Sequence, residues 1–468
     1  MFCYNILGDY MIRCPNCTAE LKFNTESQLI NCDYCGSSFK PDELNIAAKK
    51  ASEKESEETF EGKSYTCSQC GASLLTFDET AITFCSYCGS QAMLESKLIK
   101  KNNPQFIIPF KKTKDECIAA YKSKINKSFF APSYMKDDIV VSKFRGIYIP
   151  YSIYKLSFHG NCVNKGSKYT HRSGDYVYYD DYKINAMVDA DYDGISYDMI
   201  SNLYDKFSHS IPHNFKEAIP FNVNYLAGFY ADTADVGDHI YEDDAINIVN
   251  QDSTNYLRRR GEFLKYGCSK PSVDFEVTEK KMGMFPLYFL AIRDKENKYV
   301  NYAVVNGQTG KVVVDLPVDF KKYILFSTIL TIPIFIIINL YLVVTPKPIC
   351  IFAIVTAFIS MIISIFQMKI MHRRANHLDD EGHMYVEPLK KEKTKAIKFE
   401  YIWKQLAAMA LGILVLVMNF VDDLYYYGSA VITLCLVIWS FYDLVKEHNL
   451  LVSTKLPQLE KRGGSENE

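Results

Sequence analysis

Every cysteine of one quartet in this chain recurs 53 positions later in a second quartet. The first reads Cys14-Pro15-Asn16-Cys17, then Cys32-Asp33-Tyr34-Cys35-Gly36-Ser37. The second reads Cys67-Ser68-Gln69-Cys70-Gly71, then Cys85-Ser86-Tyr87-Cys88-Gly89-Ser90. Tyr34 and Tyr87, Gly36 and Gly89, and Ser37 and Ser90 obey the same shift, so one unit is duplicated in tandem. Two residues between cysteines form a tight knuckle that aims both sulfurs at one point. A glycine after the second cysteine lets the chain turn back through positive φ. Two knuckles supply four thiolates, a closed tetrahedral set for Zn²⁺ with no open position for catalysis. Iron in a rubredoxin-like site and a redox dithiol are the competing readings, and a dithiol does not need four pairs in register. The stretches between knuckles, Ser73–Phe77 among them, read as short antiparallel strands. A unit this small cannot bury a sufficient core. Metal is expected to supply the missing stability, about 10–16 kcal/mol in small zinc peptides. Two structural zinc sites are therefore predicted, on Cys14, Cys17, Cys32 and Cys35 and on Cys67, Cys70, Cys85 and Cys88.

The remaining cysteines are Cys3, Cys117, Cys162, Cys268, Cys350 and Cys435. Their scatter suits a reducing compartment rather than a disulfide framework. Residues 1–10 lack the basic and apolar regions of a secretory signal. Met11 stands directly before the first ribbon and is an alternative start.

Zinc ribbons often bind nucleic acid, and charge argues against it here. Residues 1–103 carry 10 basic against 14 acidic side chains. Each zinc with four thiolates adds two further negative charges. Phosphate affinity depends on Lys and Arg, so protein–protein docking is the expected use. Between the ribbons, residues 47–61 (AAKKASEKESEETFE) read as a solvated spacer.

The middle of the chain has the pattern of a mixed α+β domain. Thr113 and Glu116 form a capping box, followed by Ile118, Tyr121, Ile125 and Phe129 at helical spacing, with Cys117 beside that face. Gly146–Phe158, Tyr176–Val188, Phe285–Ile292 and Tyr299–Val314 read as strands, and 196–207 and 241–264 as helices. Gly146-Ile147-Tyr148-Ile149-Pro150 echoes Gly283-Met284-Phe285-Pro286, as in two similar edge strands. Gly307-Gln308-Thr309-Gly310-Lys311 resembles a phosphate loop, but Val312 stands where Ser or Thr is needed, so a hairpin turn is expected. Asp189, Asp191, Asp193 and Gly194 begin like a calcium loop, but the twelfth position is Ile200 and not Glu. A polar strand-to-helix turn is expected there. His159, His171, His209, His213 and His239 lack metal-ligand spacing. No catalytic constellation is visible, and the chain is expected not to be an enzyme.

The last third changes character. Residues 323–344, 349–368, 402–421 and 424–442 are long apolar runs. A bilayer core of about 30 Å needs roughly 20 such residues in a helix, so four spans are predicted. Pro333 lies inside the first, and Lys404 near the start of the third is placed to snorkel. The loop 369–400 carries eight Lys or Arg residues, whereas Asp422 and Asp423 fill the turn between the last two spans. Lys321, Lys322 and Lys446 flank the outer ends. By the positive-inside rule, both termini and the long loop are cytoplasmic. The spans offer no ion pathway.

Several further segments carry a family resemblance. These are Ile108-Pro109-Phe110, Phe130-Ala131-Pro132-Ser133, Gly146–Pro150, Leu226-Ala227-Gly228-Phe229 and the closing NGQTGKVVVDLP. Together with the twin ribbons they resemble the bacterial membrane-anchored TFIIB-type zinc-ribbon proteins, over nearly the whole chain. Some relatives are labelled replication or helicase proteins, but no helicase motif is present here. Others occur beside phage-shock protein A and SPFH-like genes. The resemblance implies a multi-pass cell-membrane protein in membrane-stress scaffolding, with phage-shock protein A-like or SPFH-like partners.

The expected fold is multidomain: two small β zinc ribbons, a mixed α+β domain and a four-helix transmembrane region. The division is ribbon 1 at 11–40, linker 41–62, ribbon 2 at 63–93, cytoplasmic domain 94–322, transmembrane region 323–445 and cytoplasmic tail 446–468. The expected function is a non-enzymatic scaffold that recruits cytoplasmic proteins to the bilayer. A membrane-tethered nucleic-acid binder and an enzyme with an unrecognised middle-domain site are the alternatives.

Overall fold

The computed structural model describes residues 12–44, 59–77, 84–91, 93–200, 203, 205–268, 271, 273–294, 299–341, 345–378 and 399–455. Most of the linker, most of the basic loop and the end of the tail lie outside these residues.

The first ribbon is a sheet of β1 (Leu21–Asn24), β2 (Leu29–Cys32) and β3 (Ser38–Phe39) in that order. The second ribbon is not an independent sheet. Its strands β4 (Thr59–Cys67) and β5 (Ser73–Thr76) are built into the sheet of the middle domain. That sheet also holds β6 (Met93–Asn102), β7 (Phe106–Ile107), β8 (Arg145–Ser173), β9 (Tyr176–Asp198), β10 (Ile219–Pro220), β11 (Tyr230–Asp232) and β12 (Glu276–Arg293). Its path runs β10-β7-β12-β8-β11-β5-β4-β6. The physical reason is β5, whose Leu74 and Leu75 are both fully buried, on opposite faces. A strand apolar on both faces needs cover on both. β11 supplies its second neighbour, with Ala231 opposite Leu75.

Alternation along β8 and β12 divides the core. Ile147, Ile149, Tyr151, Phe285, Leu287 and Phe289 face one side, with the second cysteine quartet. Tyr148, Met284, Tyr288 and Leu290 face the other. Over the latter lies α1 (Lys114–Lys127), started by the predicted capping box and buried through Cys117, Tyr121 and Ile125. Phe129 departs from that face and packs against Phe326, with ring centroids 5.2 Å apart.

The two glycine–proline segments are neighbours inside the sheet, not edges. Pro150 pairs with Met284 and Pro286 with Tyr148. Interior strands tolerate proline only where its missing N–H is not needed. On its other side, β8 pairs with β11 at Ile147 and Tyr148 and with β9 from Tyr151, so Pro150 falls at the changeover. Pro286 falls likewise between the β7 pairing at Met284 and the β13 pairing (β13, Tyr299–Asn306) at Leu287. β13 turns through Gly307–Lys311 into β14 (Val312–Val314), the expected hairpin. Asp189, Asp191 and Asp193 sit within β9 rather than in a turn. The helix expected at 196–207 begins later, at Asp205–Ser210. The one expected at 241–264 divides into α2 (Glu242–Arg258) and α3 (Gly261–Lys265).

Among the described residues, four α-helices follow: α4 (Phe320–Tyr341), α5 (Pro346–Leu378), α6 (Trp403–Met418) and α7 (Leu424–Val452). Among the described residues, two helices are long and apolar enough to cross a membrane, within Pro346–His372 and Leu424–Val452. The predicted third span is a helix of 16 residues, about 24 Å long. It stops at Asn419, whose φ of 45° ends the helix. Cys350, Val415 and Tyr426 form one core between α5, α6 and α7, and Ala357, Ala408 and Val437 another. Lys404 does not snorkel. It is buried, paired with Asp443 and set 4.5 Å from the Trp439 ring.

Helix α7 ends against the domain. Asn449 Nδ2 donates to the Val318 carbonyl at 2.9 Å, and its Oδ1 accepts from the Val318 N–H at 2.8 Å. Beyond it, β15 (Thr454–Lys455) pairs with Tyr299 and Val300 of β13. The chain after the helices thus returns to the sheet from which α4 departed.

Candidate metal centres

Each of the four knuckles closes in the same way. The N–H of the residue after the second cysteine donates to the carbonyl of the first: Thr18 to Cys14 at 2.8 Å, Gly36 to Cys32 at 3.0 Å, Gly71 to Cys67 at 2.9 Å and Gly89 to Cys85 at 2.9 Å. All four closing residues have positive φ, at 62°, 74°, 71° and 68°. Three are glycine; Thr18 takes the strained conformation with a branched side chain.

The predicted ligands come together as two groups of four. In each, one atom from every residue lies within 4.8 Å of the others. In the first, Cys14 Sγ is 3.6 Å from Cys35 Sγ and Cys17 Sγ is 3.4 Å from Cys32 Sγ. In the second, Cys67–Cys88 and Cys70–Cys85 are both 3.6 Å apart. Both groups have the donor set and closeness to hold a metal ion. In the second group, hydrogen bonding with Cys70, Cys85 and Cys88 drives Cys67 strongly down, and hydrogen bonding with Cys67 drives Cys85 strongly up. In the first group, the Ser37 hydroxyl beside Cys35 holds its thiol down at about 6.

Their surroundings differ sharply. All four cysteines of the second group are buried, whereas Cys35 is exposed and Cys17 half-buried. Tyr87, between Cys85 and Cys88, is fully buried against Phe289 at 5.0 Å, and its hydroxyl donates to Asp232. Arg293 braces both knuckles, with Nε donating to the Cys88 carbonyl at 2.7 Å and Nη2 to Gln69 Oε1 at 2.8 Å. Tyr34, the counterpart of Tyr87, is 83% exposed.

The first ribbon sits on the segment 222–229. Phe23 N–H donates to the Ala227 carbonyl at 3.0 Å, and the Phe23 and Tyr225 rings lie 5.1 Å apart. Asn224 Nδ2 donates to the Pro41 carbonyl at 2.8 Å, and Gln28 Nε2 to the Phe110 carbonyl at 2.9 Å. Beneath, the Phe110 and Phe229 rings stack at 4.1 Å. Gly146 and Gly307 are needed at this stack: a Cβ on Gly146 would come within 2.6 Å of Phe229, and one on Gly307 within 2.4 Å of Phe110. The sequence words around Phe110, Gly146, Phe229 and Gly307 therefore describe one aromatic seat for the first ribbon.

Two buried carboxyls escaped sequence reasoning. Burial pushes Asp198 and Asp232 up to about 7. Strand alternation gives no sign of either, because each stands at a strand end. His213 is a packing histidine beside Phe285, held down at about 3 by burial. His159, on β8, is hydrogen-bonded to its cross-strand partner Asp189 on β9.

Among curated proteins, the chain is 26% identical over 325 residues to the uncharacterized protein YdjG of Bacillus subtilis (strain 168). The match covers 66% of this chain and 91% of that protein. No family model matches the chain, and no solved structure does.

Proposed function

We propose that this protein is a non-enzymatic membrane scaffold with two structural zinc centres, whose first ribbon recruits a cytoplasmic protein partner. The observation that carries the reading is the unequal use of the two quartets. The second is walled into the sheet, and the first projects with Tyr34 at its knuckle. A buried quartet holds the domain together; an exposed aromatic on a rigid knuckle is suited to contact another protein.

Zinc is the metal that fits best. A regular tetrahedron with Zn–S of about 2.3 Å has edges of about 3.8 Å, close to the 3.4–3.6 Å sulfur separations here. Four thiolates leave no position for substrate.

The four-span arrangement with both termini cytoplasmic belongs to the same proposal. The return of β15 to β13 supports it, because a chain that leaves and rejoins one sheet crosses an even number of times. The reduced cysteines and the basic loop agree with a cytoplasmic side. Phage-shock protein A-like or SPFH-like proteins are the candidate partners, in a membrane-stress role.

The test compares partners captured from native membranes by the native chain, by Tyr34→Ala and by a variant lacking Cys14, Cys17, Cys32 and Cys35. Metal is measured on the same samples. Two zinc equivalents are expected in the native chain and in Tyr34→Ala, and one in the variant without the first quartet, with a partner lost in both variants. An unchanged partner set would overturn the recruiting role, and iron or a ratio near one in the native chain would overturn the metal assignment.

A further inference from the structure

The turn that follows α1 is fastened to the base of α4. Asp319 N–H donates to the Phe130 carbonyl at 2.8 Å, and Lys322 Nζ to the Ala131 carbonyl at 2.6 Å. The Phe130 ring lies 5.5 Å from Tyr323 and 5.7 Å from Phe326, and the Phe129 ring 5.2 Å from Phe326. Phe129 nevertheless stays 62% exposed. A single exposed phenylalanine needs no explanation by itself; its depth does.

Two marks give that depth. Phe326 lies four residues past Lys322, about 6 Å further along α4. The Phe320 and Tyr442 rings, 4.9 Å apart, set the base of α4 level with Tyr442 of α7. From that level Trp439 is three residues along α7 and Phe326 six along α4, about 5 Å and 9 Å on each axis. Trp403 and Trp439, with rings 6.2 Å apart and both partly exposed, are the kind of pair that marks a membrane–water boundary. Phe326, and Phe129 against it, thus lie beyond the tryptophans. With α4 spanning the bilayer, the reading on which this inference rests, that depth is acyl chain and not water.

The turn is suited to leaving water. The carbonyls of Ser128, Phe130 and Ala131 already accept hydrogen bonds, from the Ala131 N–H, the Asp319 N–H and Lys322 Nζ, and unpaired backbone groups are what excludes a loop from that layer. The charges stand above it. Lys124 and Lys127, both exposed, end α1 where phosphates would lie, and Asp115 and Glu116 are at its far end. Further on, Asp138 is paired with Lys122 at 2.6 Å, and Asp137 Oδ1 accepts from the Ile139 N–H at 2.9 Å. Asp319 Oδ1 accepts from the Lys321 N–H at 3.0 Å.

We propose that Phe129 is a membrane wedge, its ring seated among the acyl chains of the cytoplasmic leaflet beside α4, so that the middle domain docks on the bilayer surface through its own turn. The occupant is lipid because a cytoplasmic protein does not reach past the tryptophans.

The test uses the full chain in vesicles of phosphatidylethanolamine and phosphatidylglycerol, with insertion checked by resistance to alkaline extraction. The photoreactive p-benzoylphenylalanine replaces Phe129, Leu330 within α4, or Tyr34 on the first ribbon, and each sample is irradiated. Position 129 is expected to gain the mass of a phospholipid and to keep a fatty acid after ester hydrolysis, as position 330 does. Its yield should exceed that at position 34 about ten-fold, the bias that burying a phenylalanine ring gives. Lipid at 330 without lipid at 129 overturns this proposal alone. Absence of lipid at both overturns the span of α4 and the proposal with it. An adduct at 129 that loses its fatty acid on hydrolysis places the ring among headgroups, and a cross-linked dimer assigns it to a second copy. Either result overturns the proposal, as does an equal yield at position 34.

Discussion

Tyr34 and Tyr87 hold the same position in two copies of one unit, yet one points to solvent and the other donates to a buried carboxylate. The knuckles around them are alike because φ, ψ and sulfur geometry are local. Thr18 is the place where the two copies differ locally at a price in strain: it adopts φ 62° where Gly71 adopts 71°. Left-handed backbone costs a non-glycine residue roughly 1–2 kcal/mol, partly offset by glycine's greater unfolded-state entropy. Thr18→Gly should therefore stabilise the first ribbon by about 1 kcal/mol, read as slower metal release in denaturant. Asp198 makes a second prediction. Its folded pKa of about 7 lies above its ordinary value of 3.8, so the folded state keeps the proton longer. The stability from that proton is full below about pH 4 and is lost as pH rises through 7. Asp198→Asn should gain stability over the native chain as pH rises from about 4 to 7, levelling at no more than about 4 kcal/mol. Denaturant titrations at pH 5.5, 7 and 8 check this; a constant difference would show that burial does not govern this group.

At the scale of elements, the duplicated ribbons have become unlike parts. The first keeps its own three-stranded sheet and is seated by a few contacts on 222–229. The second has given its strands to the large sheet, through Ala231 opposite Leu75 on one edge and β6 along β4 on the other. Loss of metal should reflect that. Cys14→Ser should release one metal and expose the amides of β1 and β2 to hydrogen exchange while leaving β8 and β12 protected. Cys67→Ser should loosen β4, β5 and β11 together, at a cost of several kcal/mol, because a structural metal site contributes directly to folding. Equal and local effects of the two changes would contradict the difference in burial. Helix α1 was readable because it buries one face through Cys117, Tyr121 and Ile125, and the strands at Phe285–Ile292 and Tyr299–Asn306 because they are short apolar runs buried on both faces. Tyr176–Val188 was read as strand and lies in β9, whereas the continuation of β8 past Phe158 to Ser173 was not read.

At the scale of the molecule, the helices and the sheet are joined at both ends. Lys322 Nζ donates to the Ala131 carbonyl at 2.6 Å where α4 begins, and Asn449 and β15 close the other side. A fragment cut near Leu316 would lose β15 from β13, together with the 2.6 Å hydrogen bond from Ser453 Oγ to Asn301 Oδ1. Ending the full chain after Asn449 should leave insertion intact but lower the unfolding temperature of the sheet domain by a few degrees, in line with about 1 kcal/mol for a lost edge pairing. An unchanged transition would show that the return strand is not part of the folded unit.

Sequence alone determined the two quartets, the capped helix, the hairpin at Gly307–Lys311 and the long apolar stretches. Each depends on spacing within a few turns of chain, where bond geometry and solvent preference act directly. It did not determine that the second ribbon would merge into the sheet, because that rests on Leu75 finding its neighbour Ala231 in β11, 156 residues away. Nor did it separate Tyr34 from Tyr87, place Pro150 beside Pro286, or bury Lys404 against Asp443. Those outcomes depend on which surfaces meet, and burial is a property of the partner as much as of the residue.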